Sequence, residues 1–129
     1  MATAIVHPEV FRFDSPYSAA LRIGSLIFIS GAIPLDATGK LVGENDPDAQ
    51  TRQVLLNIRR LLEAAGAGVE HLAQLTFYLA DLSQWRATAD ARREFFVEPY
   101  PATTTVEVAR LVNTDWLIEI DAIAVVPDN

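Results

Sequence analysis

PATTTVEVARL, residues 101–111, packs a proline, three threonines and alternating valines into one run. β-branched residues fit a pleated, half-buried surface, and successive side chains leave a strand on opposite faces. The spacing predicts a strand over 103–109. Thr103, Thr105 and Glu107 share one face, and Thr104, Val106 and Val108 share the other. The first half offers hydroxyls where a core-facing strand would offer Val or Ile. A second strand is predicted over 116–126. Trp116, Ile118, Ile120, Ala122, Ala124 and Val126 form its unbroken apolar face, expected under helices. Leu117, Glu119, Asp121, Ile123 and Val125 form a mixed face, which needs water or a partner.

Before these two strands the pattern alternates between strand and helix. Residues 3–13 alternate weakly and read as an edge strand, closed by a turn at Asp14-Ser15-Pro16. Residues 20–30 read as a hairpin turning at Gly24-Ser25. Asp46 caps and Pro47 starts a helix whose apolar positions 54, 55, 58, 61, 62 and 65 make one face. Gly66 ends it. Residues 71–80 alternate as a strand. Asp81–Gln84 has capping-box spacing, and a second helix runs from there to about Val97. The order β-β-β-α-β-α-β-β implies an α+β fold, a mixed β-sheet packed on two helices.

With 129 residues, half of them hydrophobic, the chain is expected to be one domain, residues 1–129, with a real core. It has no cysteine, so disulfides, thiolate metal sites and a Cys nucleophile are excluded. Neither a signal peptide nor a membrane-spanning stretch is evident, so a cytoplasmic protein without membrane association is the expectation. The net charge of −7 argues against nucleic-acid binding, which usually shows a basic stripe. His7 and His71 lack metal-type spacing, and no metal or cofactor is expected.

The segments SPYS (15–18), ISGAIPLDATGK (29–40), residues 50–65 followed by AG, FVEPYPATTTVEVARL (96–111) and IEIDAIAV (118–125) resemble the RidA/YjgF family of reactive intermediate deaminases, formerly called L-PSP endoribonucleases. The resemblance covers nearly the whole chain. It implies a chorismate mutase-like subunit, a homotrimer with its sheets inward, and a small-molecule site between subunits. The family supplies that site with an Arg on the strand opened above, a Glu on the last strand, and a Tyr from across the interface. Here Tyr17 matches the Tyr, and Ser30 and Gly31 match the wall after the second strand of the hairpin. Thr103 stands at the Arg position, Asp121 is aligned with the Glu, and Ala89 falls where well-known members carry Asn.

Each of these residues also has a structural reading. Thr103 offers one donor and no charge, so a carboxylate-bearing substrate needs another cation. Arg92 is the candidate: helical stepping from Trp85 places it in an apolar stripe, where it either snorkels or pairs, or faces an anion. Asp121 is read as catalytic, with Glu119 as its solvated or interface-lining neighbour. Tyr17 either caps the site or packs. Thr105 lines the cleft beside Thr103, and Glu107 is expected to pair with Arg110.

The functional expectation is a cofactor-independent deaminase that hydrolyses an enamine or imine to a carbonyl compound and ammonia. Asp121 and Tyr17 act at the reacting group, while Thr103, Thr105, Arg92, Ser30 and Gly31 bind substrate. Loss of the strand Arg points away from the usual small 2-iminoacid and toward a compound such as an aminomuconate-like one. The alternatives are a non-catalytic trimeric binding protein of the same fold and, ranked last on charge, RNA cleavage.

Overall fold

A computed structural model describes residues 1–127. Its strands are β1 (Ala2–Ile5), β2 (Ala20–Ile23), β3 (Leu26–Ala32), β4 (Leu72–Leu79), β5 (Ala102–Glu107) and β6 (Ile118–Val125). Its helices are α1 (Pro47–Ala64), between β3 and β4, and α2 (Ala89–Phe95), between β4 and β5. The strands form one sheet in the order β1-β2-β3-β6-β4-β5. Neighbours are antiparallel except β4 and β5, which run parallel because α2 carries the chain back between them. This is the α+β layer expected from the sequence.

The start of α1 follows its sequence signal. The Asp46 carboxylate accepts from the Ala49 N–H at 3.1 Å, and Pro47 opens the first turn. Gly66, at φ +82°, takes the left-handed conformation just past the end. Val54, Leu55, Ile58, Leu61 and Leu62 bury the helix against Ile27, Ile29, Phe77, Ile118 and Ile120 of the sheet. The apolar side of β6, Ile118 through Ala124, lies in that core.

Among the described residues no helix covers the opposite face of the sheet. Leu26 and Phe28 on β3, Val125 on β6 and Val106 on β5 stand exposed on it. Strand pairing fixes which residues of β5 share this face. Thr103 pairs with the core residue Leu75 and Thr105 with Phe77, so both threonines lie on the helix side. Thr104 pairs with Thr76, which in turn pairs with Asp121, and these lie on the open side.

Several local expectations are corrected. β1 stops at Ile5, because the chain then turns through Pro8, with the Val10 N–H donating to the His7 carbonyl at 3.0 Å. The segment Leu82–Thr88 is a 3₁₀ helix, and only Ala89–Phe95 is α-helical. Asp81 spends its carboxylate on the N–H and hydroxyl of Ser83, while the Gln84 side-chain oxygen has no partner, so no capping box forms. Trp116 precedes β6 and packs with Leu35 and Leu111 in a small cluster of its own. Glu107 accepts from the Leu82 N–H at 2.9 Å and makes no ion pair with Arg110.

Candidate active site

Between Ile29↔Ala122 and Ala32↔Ile120, strand β3 sets two residues, Ser30 and Gly31, against Asp121 alone. This bulge opens the sheet where β3 meets β6, a common device beside binding sites. The Ser30 hydroxyl donates to the Ser18 carbonyl at 2.6 Å and ties the bulge to the loop that carries Tyr17. A cavity of about 540 Å³ lies here, lined among others by Phe13, Tyr17, Ser30, Gly31, Trp116 and Glu119. Its size falls within the range of roughly 300–1,000 Å³ common for small-molecule sites. Phe13 and Trp116, with ring centroids 6.5 Å apart, supply an apolar wall.

The carboxylate in this cavity is Glu119. It projects over Gly31 so closely that a Cβ on that glycine would meet Glu119 Oε1 at 2.0 Å. Partial burial pushes the Glu119 carboxyl above the usual glutamate range, and the nearby charge of Asp121 pushes it in the same direction. Among the described residues no basic side chain lines the cavity. A carboxyl with raised proton affinity against an apolar wall is suited to exchange a proton with a bound molecule.

Asp121 sits two residues further along the same face, outside this cavity. Its Oδ2 accepts from the Tyr78 hydroxyl at 2.9 Å. It lines a separate hollow with Phe28, Gln74 and Thr76 on the open sheet face. Burial and the Asp121 carboxylate together hold the Tyr78 phenol above its ordinary value. The structure thus brings Tyr17, Ser30 and Gly31 together with Glu119 rather than with Asp121. The signal available in the sequence was register. Ile118-Glu119-Ile120-Asp121 offers two carboxylates on one face, and only the position of the Ser30-Gly31 bulge says which one meets Tyr17.

Thr103, Thr105 and Arg92 lie elsewhere in the subunit, on the helix side and across β4 from the bulge. The Arg92 guanidinium stacks on Trp85, its central carbon 3.7 Å from the ring centroid. Its Nε donates to Thr88 Oγ1 at 2.9 Å. With Arg93, Phe96, Tyr100, Pro101 and Thr103 it lines a hollow of about 280 Å³. Within one chain Arg92 and Asp121 do not converge on a common ligand.

The model of the family described as Endoribonuclease L-PSP matches residues 10–126. The chain belongs to this family. A RutC family protein of Pyrococcus horikoshii is 46% identical over 110 residues, spanning 84% of this chain and 86% of that protein. The 2-iminobutanoate/2-iminopropanoate deaminase of Salmonella typhimurium is 43% identical over 114 residues, spanning 85% and 87%. The crystal structure of the YjgF gene product from E. coli superposes with a TM-score of 0.87 at 35% identity, over 95% of this chain and 98% of that one. As a RidA/YjgF protein the chain has the expected mixed sheet and two helices. Among its described residues no helix is long and apolar enough to cross a membrane.

Proposed function

We propose that this RidA/YjgF protein is a cofactor-independent deaminase that converts an enamine or imine to a carbonyl compound and ammonia. The observation that carries this is Glu119, a carboxyl of raised proton affinity in an aromatic-walled cavity with Tyr17 and the Ser30-Gly31 bulge. The deaminase name borne by the Salmonella relative supports the reaction class.

In this reading Glu119 gives its proton to the carbon of an enamine, or to the nitrogen of an imine. The resulting iminium carbon is attacked by water, and the Glu119 carboxylate takes the proton that water loses. The carbinolamine collapses as the C–N bond breaks: Glu119 gives its proton to the departing ammonia, and its carboxylate then takes the hydroxyl proton as the C=O bond forms, which restores the starting carboxyl. The apolar wall keeps bulk water from competing for the protons. Tyr17 contributes its hydroxyl at the mouth. Asp121 holds charge beside Glu119 and does not contact the reacting atoms.

The working form is proposed to be a homotrimer whose sites lie at subunit interfaces. The uncovered sheet face, with Leu26, Phe28, Val106 and Val125 exposed, favours such a partner. The test is ammonia release from 2-aminoacrylate made in situ by a serine dehydratase, together with sedimentation mass. Release above the uncatalysed rate, lost in Glu119→Gln, supports the reading. A wild-type rate equal to the uncatalysed one from every enamine tried would favour the non-catalytic binding protein.

A further inference from the structure

Much of the wall of the Glu119 cavity takes no part in the chemistry above. Phe13, Ile33, Val112 and Trp116 line it and bring no group that can move a proton. Trp116 is held rigidly among them. The buried Gln50 side chain bonds the backbone on both sides of it, donating to the Asp115 carbonyl at 3.0 Å and accepting from the Leu117 N–H at 2.7 Å. The Trp116 N–H donates to the Asn113 carbonyl at 3.1 Å, and Leu35 and Leu111 pack against the side chain.

Phe13 comes from the loop before β2 and has a looser support. Its carbonyl accepts from the Ser15 N–H at 3.0 Å, and the Ser15 carbonyl accepts from the Tyr17 N–H at 2.8 Å. The Phe11 ring meets it edge-on, with centroids 5.0 Å apart. Phe11 in turn lies on Gly39, where a Cβ would meet the Phe11 ring at 2.7 Å. Between Phe13 and Trp116 the centroid distance is 6.5 Å and the tilt 44°, neither the stacked nor the edge-on pairing that aromatic rings favour. The two rings are therefore placed without satisfying each other. Phe13 is 38% exposed and Val112 91%, so apolar surface beside the fixed indole is left to water and gains by being covered.

We propose that Phe13 and Trp116 set the specificity of this site, gripping a bulky, uncharged, apolar substituent (a branched or aromatic chain) carried beside the reacting carbon. This rests on the reading above that deamination takes place at Glu119. A cavity of about 540 Å³ is far larger than a three-carbon enamine requires. An acidic substituent is disfavoured. Among the described residues the lining holds the Glu119 carboxyl and no base, and the Asp121 charge reaches it as well. 2-Aminoacrylate, which has no such substituent, then belongs at the slow end of the substrate series.

The test is binding without turnover, using 2-oxo acids that differ only in the substituent. Pyruvate, 4-methyl-2-oxopentanoate, phenylpyruvate and 2-oxoglutarate are titrated into the intact protein by calorimetry, and chemical shifts map the site. The branched and aromatic compounds are expected to bind roughly tenfold or more tightly than pyruvate, and 2-oxoglutarate no more tightly than pyruvate. Phenylpyruvate is expected to shift the amides of residues 13, 112 and 116 and the Trp116 indole N–H, which Trp116→Phe distinguishes from that of Trp85. Phe13→Ala, on an exposed loop, is expected to bring the two larger compounds down toward pyruvate. Equal affinity across the series, shifts that spare residues 13 and 116, or a preference unchanged in Phe13→Ala would each overturn the proposal. Imines made in situ from alanine, leucine and phenylalanine by an amino-acid oxidase separate the two readings. The expected binding preference in a protein that releases no ammonia from any of them would retire the deaminase reading alone. Ammonia release with equal kcat/KM from all three would retire the specificity inference alone.

Discussion

Glu119 Oε1 occupies the space that a Cβ on Gly31 would need, at 2.0 Å from its ideal position, with the carboxyl carbon at 2.7 Å. Gly31 is therefore where the bulge gives up a side chain to admit the carboxyl. The obstructing atoms are the far end of a flexible side chain, so Gly31→Ala is relieved by swinging Glu119 away rather than by moving the strand. Urea unfolding of Gly31→Ala is expected to stay within about 1 kcal/mol of wild type. Deamination is expected to fall by roughly a hundredfold, in line with the loss of a positioned acid–base group. A variant that is fully active would show that Glu119 does not work from the position seen here.

Asp121 and Tyr78 make a second testable pair. Their 2.9 Å hydrogen bond crosses from β6 to β4. A hydrogen bond to a charged group contributes about 1.5–3 kcal/mol, less where water reaches it. Tyr78→Phe and Asp121→Asn should each cost about 1 kcal/mol, and the double variant little more, which a double-mutant cycle measures. Asp121→Asn also removes a negative charge that raises the Glu119 carboxyl. The pH at which its activity turns over is expected to move down, with activity retained. Complete loss of activity in Asp121→Asn, with Glu119→Gln active, would return the catalytic role to Asp121.

The strand–helix order, both ends of α1 and the core face of β6 were legible in the sequence. Each rests on local chemistry: Asp46-Pro47, Gly66, and the alternation of Ile118, Ile120, Ala122 and Ala124. The site was less legible because it depends on relations between strands. Glu119 and Asp121 share a face, and only the two-residue bulge at Ser30-Gly31 separates them. Stepping along a helix from Trp85 puts Arg92 on the same face, as found, but it assumes α geometry through a segment that is 3₁₀ up to Thr88 and gives no sign that the guanidinium lies flat on the Trp85 ring. Gln50 and Asn57, buried polar residues of α1, are invisible to an apolar count.

Glu119 also predicts a pH dependence of stability. Its carboxyl holds a proton more tightly in the folded chain than in the unfolded one. Between the ordinary glutamate value and the raised folded value, the folded state therefore binds more protons, and stability falls as pH rises through that window. Glu119→Gln cannot titrate. The difference in urea stability, variant minus wild type, is expected to grow from about pH 4 upward and then level off. Taking the difference cancels Asp36 and Asp81, whose lowered values act in the opposite direction. Parallel curves for the two proteins would mean that Glu119 is not perturbed by its cavity.

Gln50 positions the start of β6, and with it Glu119. The residue is fully buried. Its Nε2 donates to the carbonyls of Gly43 and Asp115, both at 3.0 Å, and its Oε1 accepts from the Leu117 N–H at 2.7 Å. Two acceptors and one donor around it fix which end is oxygen. Gln50→Leu leaves the Asp115 carbonyl and the Leu117 N–H without partners, while the Gly43 carbonyl keeps the Asp46 N–H, and should cost about 3 kcal/mol, at about 1–3 kcal/mol for each group that water cannot reach. Gln50→Glu is nearly isosteric yet sets an oxygen against two carbonyl oxygens. At neutral pH it should therefore be no more stable than Gln50→Leu, and it should recover stability as acid protonates the new carboxyl. Urea midpoints at two pH values decide this. A Gln50→Glu protein more stable than Gln50→Leu at neutral pH would mean that the amide bonds its neighbours differently, and that β6 is held in place by packing alone.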